Sequence, residues 1–167
     1  EILALNQSDG SLAWKSRAAS EVLSQPQVDD DVVVVQSIDG KVAAYDAIDG
    51  SRKWIYTTKI PSLTLRGTAT PIISGDFILV GSSSGRVTLL EKGTGFSGLD
   101  RRVGIAQGDS DLERLVDIDG AMAMENGRLY AASFQGRIIG IDIATGRTLW
   151  SEEASSVSGV GTGFGNV

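Results

Sequence analysis

Val32-Val33-Val34-Val35-Gln36-Ser37-Ile38-Asp39-Gly40-Lys41-Val42-Ala43-Ala44-Tyr45-Asp46-Ala47-Ile48-Asp49-Gly50-Ser51-Arg52-Lys53-Trp54 decides the fold. The opening β-branched run suits a strand buried on both faces. Ser37-Ile38-Asp39-Gly40 turns the chain on a glycine free to adopt positive φ. Lys41 to Ala47 reads as the next strand, Ile48-Asp49-Gly50-Ser51 as a second turn, and Arg52 to Thr58 as a third strand. Upstream, Val22 to Val28 supplies a fourth, with Asp29-Asp30-Asp31 as its turn. No segment carries helical apolar spacing over the ~10 residues a helix needs.

The stretch recurs. Shifts of 45 and 96 residues carry Val33-Val34-Val35 onto Ile78-Leu79-Val80 and Leu129-Tyr130-Ala131. The same shifts carry Gly40 onto Gly85 and Gly136, Lys41 onto Arg86 and Arg137, Gly50 onto Gly95 and Gly146, and Trp54 onto Leu99 and Trp150. A backward shift of 40 places Asn6, Gly10 and Trp14 on Asp46, Gly50 and Trp54. Four antiparallel strands per ~40–50 residues make the blade of a β-propeller, so the fold expected is all-β, a partial propeller of about half an eight-bladed ring. Residues 1–18 read as the end of a blade, 19–60, 61–107 and 112–154 as whole blades, and 155–167 as the start of another. The ends read as cut, so the sequence is expected to be a piece of something larger.

The tryptophans follow a turn glycine by four residues near each blade's outer edge, where an indole can bury against the adjoining blade. The unit of Gly93-Thr94-Gly95-Phe96-Ser97-Gly98 departs from the others: its turn reads as stretched, and Leu99 stands where a tryptophan is due. That stretch matches the dinucleotide fingerprint in letters only, because it occupies a repeat turn instead of opening a helix.

Composition narrows function. The 167 residues are 41% hydrophobic and 22% charged, a globular balance, and the 21 glycines are accounted for by two tight turns per repeat. No cysteine and no histidine occur. That removes thiolate chemistry, disulfides and the commonest acid–base group and metal ligand. With 15 Lys+Arg against 21 Asp+Glu, a net charge of −6, no nucleic-acid partner is expected. No run approaches the ~18 apolar residues of a membrane span. Asp109, Asp111, Glu113, Asp117 and Asp119 lack the glycine offset of a calcium loop and read as a solvated loop.

Two segments remain. In Pro61-Ser62-Leu63-Thr64-Leu65-Arg66-Gly67, Leu63 and Leu65 share one face of an extended linker beside a cation. They either tuck under the rim or form an exposed contact. Arg66 plus 51, the offset between the second and third whole units, is Asp117. The two should therefore occupy equivalent places on neighbouring blades, one face of the ring, near its centre. Asp117 and Asp119 alternate, so their carboxylates should point the same way. Arg66 and Asp117 would form either an internal ion pair or a mixed-charge patch that reads a partner.

Ala44-Tyr45-Asp46-Ala47-Ile48-Asp49-Gly50-Ser51-Arg52-Lys53-Trp54 resembles the quinoprotein-type blade motif. The segments Pro61–Gly67 and Asp111-Leu112-Glu113-Arg114-Leu115-Val116-Asp117-Ile118-Asp119, in that order and spacing, resemble two loops of the BamB family, propeller lipoproteins of the bacterial outer-membrane β-barrel assembly machinery. The resemblance implies a non-catalytic scaffold at the periplasmic face of the outer membrane. It would bind the POTRA domains of the BamA insertase and assist nascent outer-membrane barrels, with no cofactor. It also implies that Leu63, Leu65 and Arg66 form the contact loop, supported by Asp117 and Asp119. The lipid-bearing cysteine of that family is not in this sequence. Two alternatives stand beside this reading: a fragment of a quinoprotein dehydrogenase, though no vicinal cysteine pair is present, and a ligand-sensing propeller, though aromatics total only 6%. Open blade edges would let such a fragment self-associate.

Overall fold

Every residue of β4 (Val32–Gln36) is buried, and its alternate side chains go to different neighbours. Val33 and Val35 join Ile2 and Trp14 in one apolar cluster, whereas Val32 and Val34 join Ile78, Val80 and Leu90 in another. A strand that alternates between two apolar partners reads as an unbroken apolar run, which explains the four consecutive valines. The structure, a computed structural model, describes residues 1–61, 68–103, 117–134 and 136–167.

Among these residues the chain is all-β, in meandering antiparallel sheets. β1 (Ile2–Leu5) and β2 (Leu12–Ser16) form a two-stranded sheet. β3 (Gln27–Val28), β4, β5 (Lys41–Asp46) and β6 (Arg52–Thr57) form the first four-stranded sheet. β7 (Ile72–Ser74), β8 (Phe77–Ser82), β9 (Arg86–Glu91) and β10 (Ser97–Arg102) form the second. β11 (Ala123–Glu125), β12 (Arg128–Ala132), β13 (Arg137–Asp142) and β14 (Thr148–Glu153) form the third. Each four-stranded sheet runs in chain order from its short strand to its outer one, the blade pattern expected. Three apolar clusters fill the three spaces between successive sheets.

Two local expectations are corrected. The strand expected over Val22–Val28 is reduced to Gln27–Val28, with Val22 bridged separately to Ser37. Pro26 lies between the two paired stretches and has no N–H to give a partner strand. The Gly93–Gly98 turn is not stretched. Gly95 N–H donates to Glu91 O at 2.8 Å and Glu91 N–H to Phe96 O at 2.9 Å, the bonds made by Gly50 and Asp46 in the first sheet. The register shift between Ser97 and Leu99 skips Gly98, as the first sheet's shift skips Lys53 at the equivalent position, so the unit carries no extra residue.

The outer ends of the sheets are joined by a repeated contact. Trp14 covers Gly50 of the next sheet, and its Nε1–H donates to Ala47 O at 2.9 Å. Trp54 covers Gly95 and donates to Lys92 O at 2.8 Å. Both glycines have φ near +72° and no room for a Cβ beneath the indole. At the third joint Leu99 covers Gly146, and the missing indole donor is replaced by Arg101, whose Nε–H donates to Gly146 O at 2.8 Å. Trp150 belongs to the last sheet described. It stacks on Tyr130 of its own sheet, ring centroids 5.8 Å apart, above Gly140.

Trp54→Ala in the full-length protein is expected to lower the urea midpoint by an amount equivalent to about 3 kcal/mol, through the cavity and the lost bond. Gly95→Ala should be comparably damaging, since its Cβ would sit 2.6 Å from the Trp54 ring at φ +71°. Equilibrium unfolding followed by tryptophan fluorescence checks both.

Candidate functional site

The connections between sheets all leave from one end of the strands. After β6, Thr58 N–H donates to Gly40 O at 2.8 Å; after β10, Val103 N–H donates to Gly85 O at 2.8 Å. Gly40 and Gly85 are equivalent in the repeat, so the same bond sends both connections off the same face. Leu63, Leu65 and Arg66 belong to residues 62–67, outside the described residues, as do residues 104–116.

The far ends of the two connections meet. A Cβ at Gly81, near the end of β8, would lie 2.8 Å from Ala69 Cβ and 2.8 Å from Ile118 Cγ2. Ala69 and Ile118 are 49 positions apart in sequence, yet both rest on this one glycine. Gln36 of the first sheet holds the spot from the other side, its Nε2–H donating to Gly81 O at 2.7 Å. The sequence gives no warning of this, because Gly81 is not a turn glycine and lacks positive φ.

Asp117-Ile118-Asp119 enters the third sheet here. Ile118 N–H donates to Ser82 O at 3.2 Å, and Phe134 N–H donates to Asp117 O at 2.9 Å. Ile118 enters the apolar cluster between the second and third sheets, so on an extended chain the two carboxylates lie on its other side. The solvated loop read for this cluster is corrected at these two positions: Asp117 is buried, at 1% exposure, and Asp119 is partly buried. Asp119 Oδ1 is enclosed without a hydrogen-bond partner among the described residues. Burial, and then the neighbouring charge of Asp117, push its carboxyl up to about 6. Beyond it, Gly120 packs directly against Gly159, and Val160 N–H donates to Ala121 O at 2.9 Å. Residues that follow β14 thus lie beside the segment that precedes β11.

A second feature of this face escaped the sequence reading. Between β6 and the second sheet runs a groove of about 430 Å³ lined by Lys59, Arg86, Asp100 and Arg102 with several hydroxyl side chains. Its charges come from three separate strands or their ends, and only the cross-strand register brings them together.

Residues 1–164 match the family model described as outer membrane protein assembly factor BamB. The chain belongs to the BamB family. It is 33% identical over 155 residues to the BamB of Shewanella oneidensis, covering 93% of this chain and 39% of that protein. The Pseudomonas aeruginosa BamB is 46% identical over 108 residues, 65% of this chain and 28% of that one. The crystal structure of BamB from Moraxella catarrhalis superposes with a TM-score of 0.88 at 34% identity, over 93% of this chain and 47% of that one. The chain therefore spans less than half the length of these relatives. Quinohemoprotein alcohol dehydrogenase from Comamonas testosteroni, at TM-score 0.69 and 22% identity, shares the fold.

Asp119 binds its proton more tightly in the folded state (about 6) than at its ordinary value of 3.8. Between those values the native chain holds a proton that the unfolded chain has released, so this group's contribution falls as pH rises from about 4 to 6 and stays low above. Asp119→Asn is expected to raise the melting temperature at pH 7–8 and to leave it nearly unchanged near pH 4, as thermal melts across that range would show.

Proposed function

We propose that this chain is part of a non-catalytic scaffold of the outer-membrane β-barrel assembly machinery. It holds the POTRA region of the BamA insertase at the periplasmic face of the outer membrane and assists insertion of outer-membrane proteins. The relatives are named as outer membrane protein assembly factors, and that membership is the main support. The geometry adds a physical reason. The two connections that carry Leu63-Thr64-Leu65-Arg66 and Asp117-Ile118-Asp119 end against each other over Gly81. A partner that touches one of them has the other within reach.

In this reading Leu63 and Leu65 supply the apolar contact, Arg66 the charge-assisted hydrogen bond, and the Asp117–Asp119 segment the wall that keeps the linker in place. Arginine is enriched in the energetic centres of protein–protein interfaces, and surrounding apolar contacts exclude water from its bond. A carboxylate partly buried next to a second one, as Asp119 is, favours a cation or a donor brought to it, because either relieves the repulsion.

Arg66→Glu is expected to weaken binding of the BamA POTRA domains by roughly 1.5–3 kcal/mol, about 10- to 150-fold, the range for a lost bond to a charged group. Calorimetric titration of the full-length protein checks it, with circular dichroism to show that the variant is folded. Equal affinity of a folded variant and the parent overturns the contact assignment.

A further inference from the structure

The groove between β6 and the second sheet has a charge arrangement that the other repeats lack. Lys41, Arg86 and Arg137 are equivalent positions, each opening the third strand of its sheet. In the first sheet Lys41 faces Thr57 across the strands and is paired with Asp39 at 2.5 Å. In the third sheet Arg137 faces Glu153, 3.8 Å away. In the second sheet Arg86 faces Arg102 directly. Like charges on opposed residues of an antiparallel pair repel. Asp100 relieves this only in part: both of its carboxylate oxygens accept from Arg86 Nε, at 2.7 and 2.8 Å.

Arg102 is left over. It is exposed and makes no ion pair with a described carboxylate. Lys59, exposed on the opposite wall just past the end of β6, likewise has none. Three cations and one carboxylate thus line a recess on a chain whose net charge is −6. Thr57 and Thr88 add hydroxyls to the same walls. The recess, about 430 Å³, lies between the end of β6 and the paired strands β9 and β10.

We propose that this groove binds an acidic, extended segment of a protein partner, with Lys59 and Arg102 receiving its carboxylates and the wall hydroxyls donating to its polar groups. The net charge of the chain argues for a segment instead of an anionic membrane. A bilayer surface meets the field of the whole chain, net −6, whereas a segment inside the recess meets mainly the local positive one. None of the lining residues belongs to the Leu63–Arg66 segment, and the proposal does not rest on that contact.

The test uses the full-length protein and a capped peptide of alternating aspartate and glycine, with its asparagine counterpart as control. Backbone amide shifts followed by NMR should move at residues 57–59, 84–88 and 100–102 with the aspartate peptide alone. Raising salt from about 50 to about 300 mM should weaken binding. Lys59→Gln with Arg102→Gln should weaken it about tenfold or more while the melting temperature holds, and Arg102→Lys should retain most of it. Equal response to the asparagine peptide, or undiminished binding by the folded double variant, overturns the proposal. Displacement of the peptide by vesicles of anionic phospholipid overturns it in favour of a lipid headgroup. None of these readouts involves Arg66, so they stand or fall apart from BamA binding.

Discussion

The packing of each sheet against the next is the constraint on which everything else depends. Neither face of a middle sheet is available to water. Val33, Val35, Ala43 and Tyr45 go one way, and Val32, Val34, Val42 and Ala44 the other. A single sheet of this composition would expose one apolar face or the other, so each sheet is stable only between neighbours. At the outer end the joint is specified further by an indole or a leucine lying on a glycine. The glycine is doubly required: its positive φ closes the turn, and its missing side chain leaves the ring somewhere to lie.

The joint between the second and third sheets shows which parts of that contact are separable. Leu99 keeps the apolar cover over Gly146 and loses the indole donor. Arg101, two residues on and on the same face, restores a donor, now to the glycine carbonyl. Ser16, equivalent to Arg101 in the repeat, donates to Gly50 O, so the bond occupies a site that the repeat already provides. Cover and indole bond are separable: one tryptophan supplies both at two joints, and Leu99 supplies the cover alone at the third. Trp150 lies on Tyr130 and Gly140 of its own sheet.

The fold was legible because the repeat is strong: Val33, Gly50 and Trp54 reappear at fixed shifts, and strand alternation then assigns each residue to a face. The errors were local. Val22–Val28 has strand composition, but Pro26 cannot donate in the middle of it. Gly93–Gly98 reads as long because three glycines crowd it, yet it matches the first sheet's turn residue for residue at the shift of 45. For the candidate site, the common side of Asp117 and Asp119 followed from alternation, but their burial did not, since it depends on Ile118 and on segments distant in sequence. The groove was hidden for the same reason. Arg86 and Arg102 are 16 residues apart, and no periodicity of one strand reveals that they are opposed.

The two faces of the stacked sheets have unequal freedom, and this bears on where a partner can bind. On one face lie the turns at Gly50, Gly95 and Gly146, each occupied by the side chain of the preceding sheet. A residue there cannot change without disturbing a joint. The opposite face carries the points where the connections leave, at Gly40 and Gly85, and where they arrive, at Gly81. Residues chosen for a partner can accumulate on that face without disturbing a joint, and the groove lined by Lys59 and Arg102 opens there.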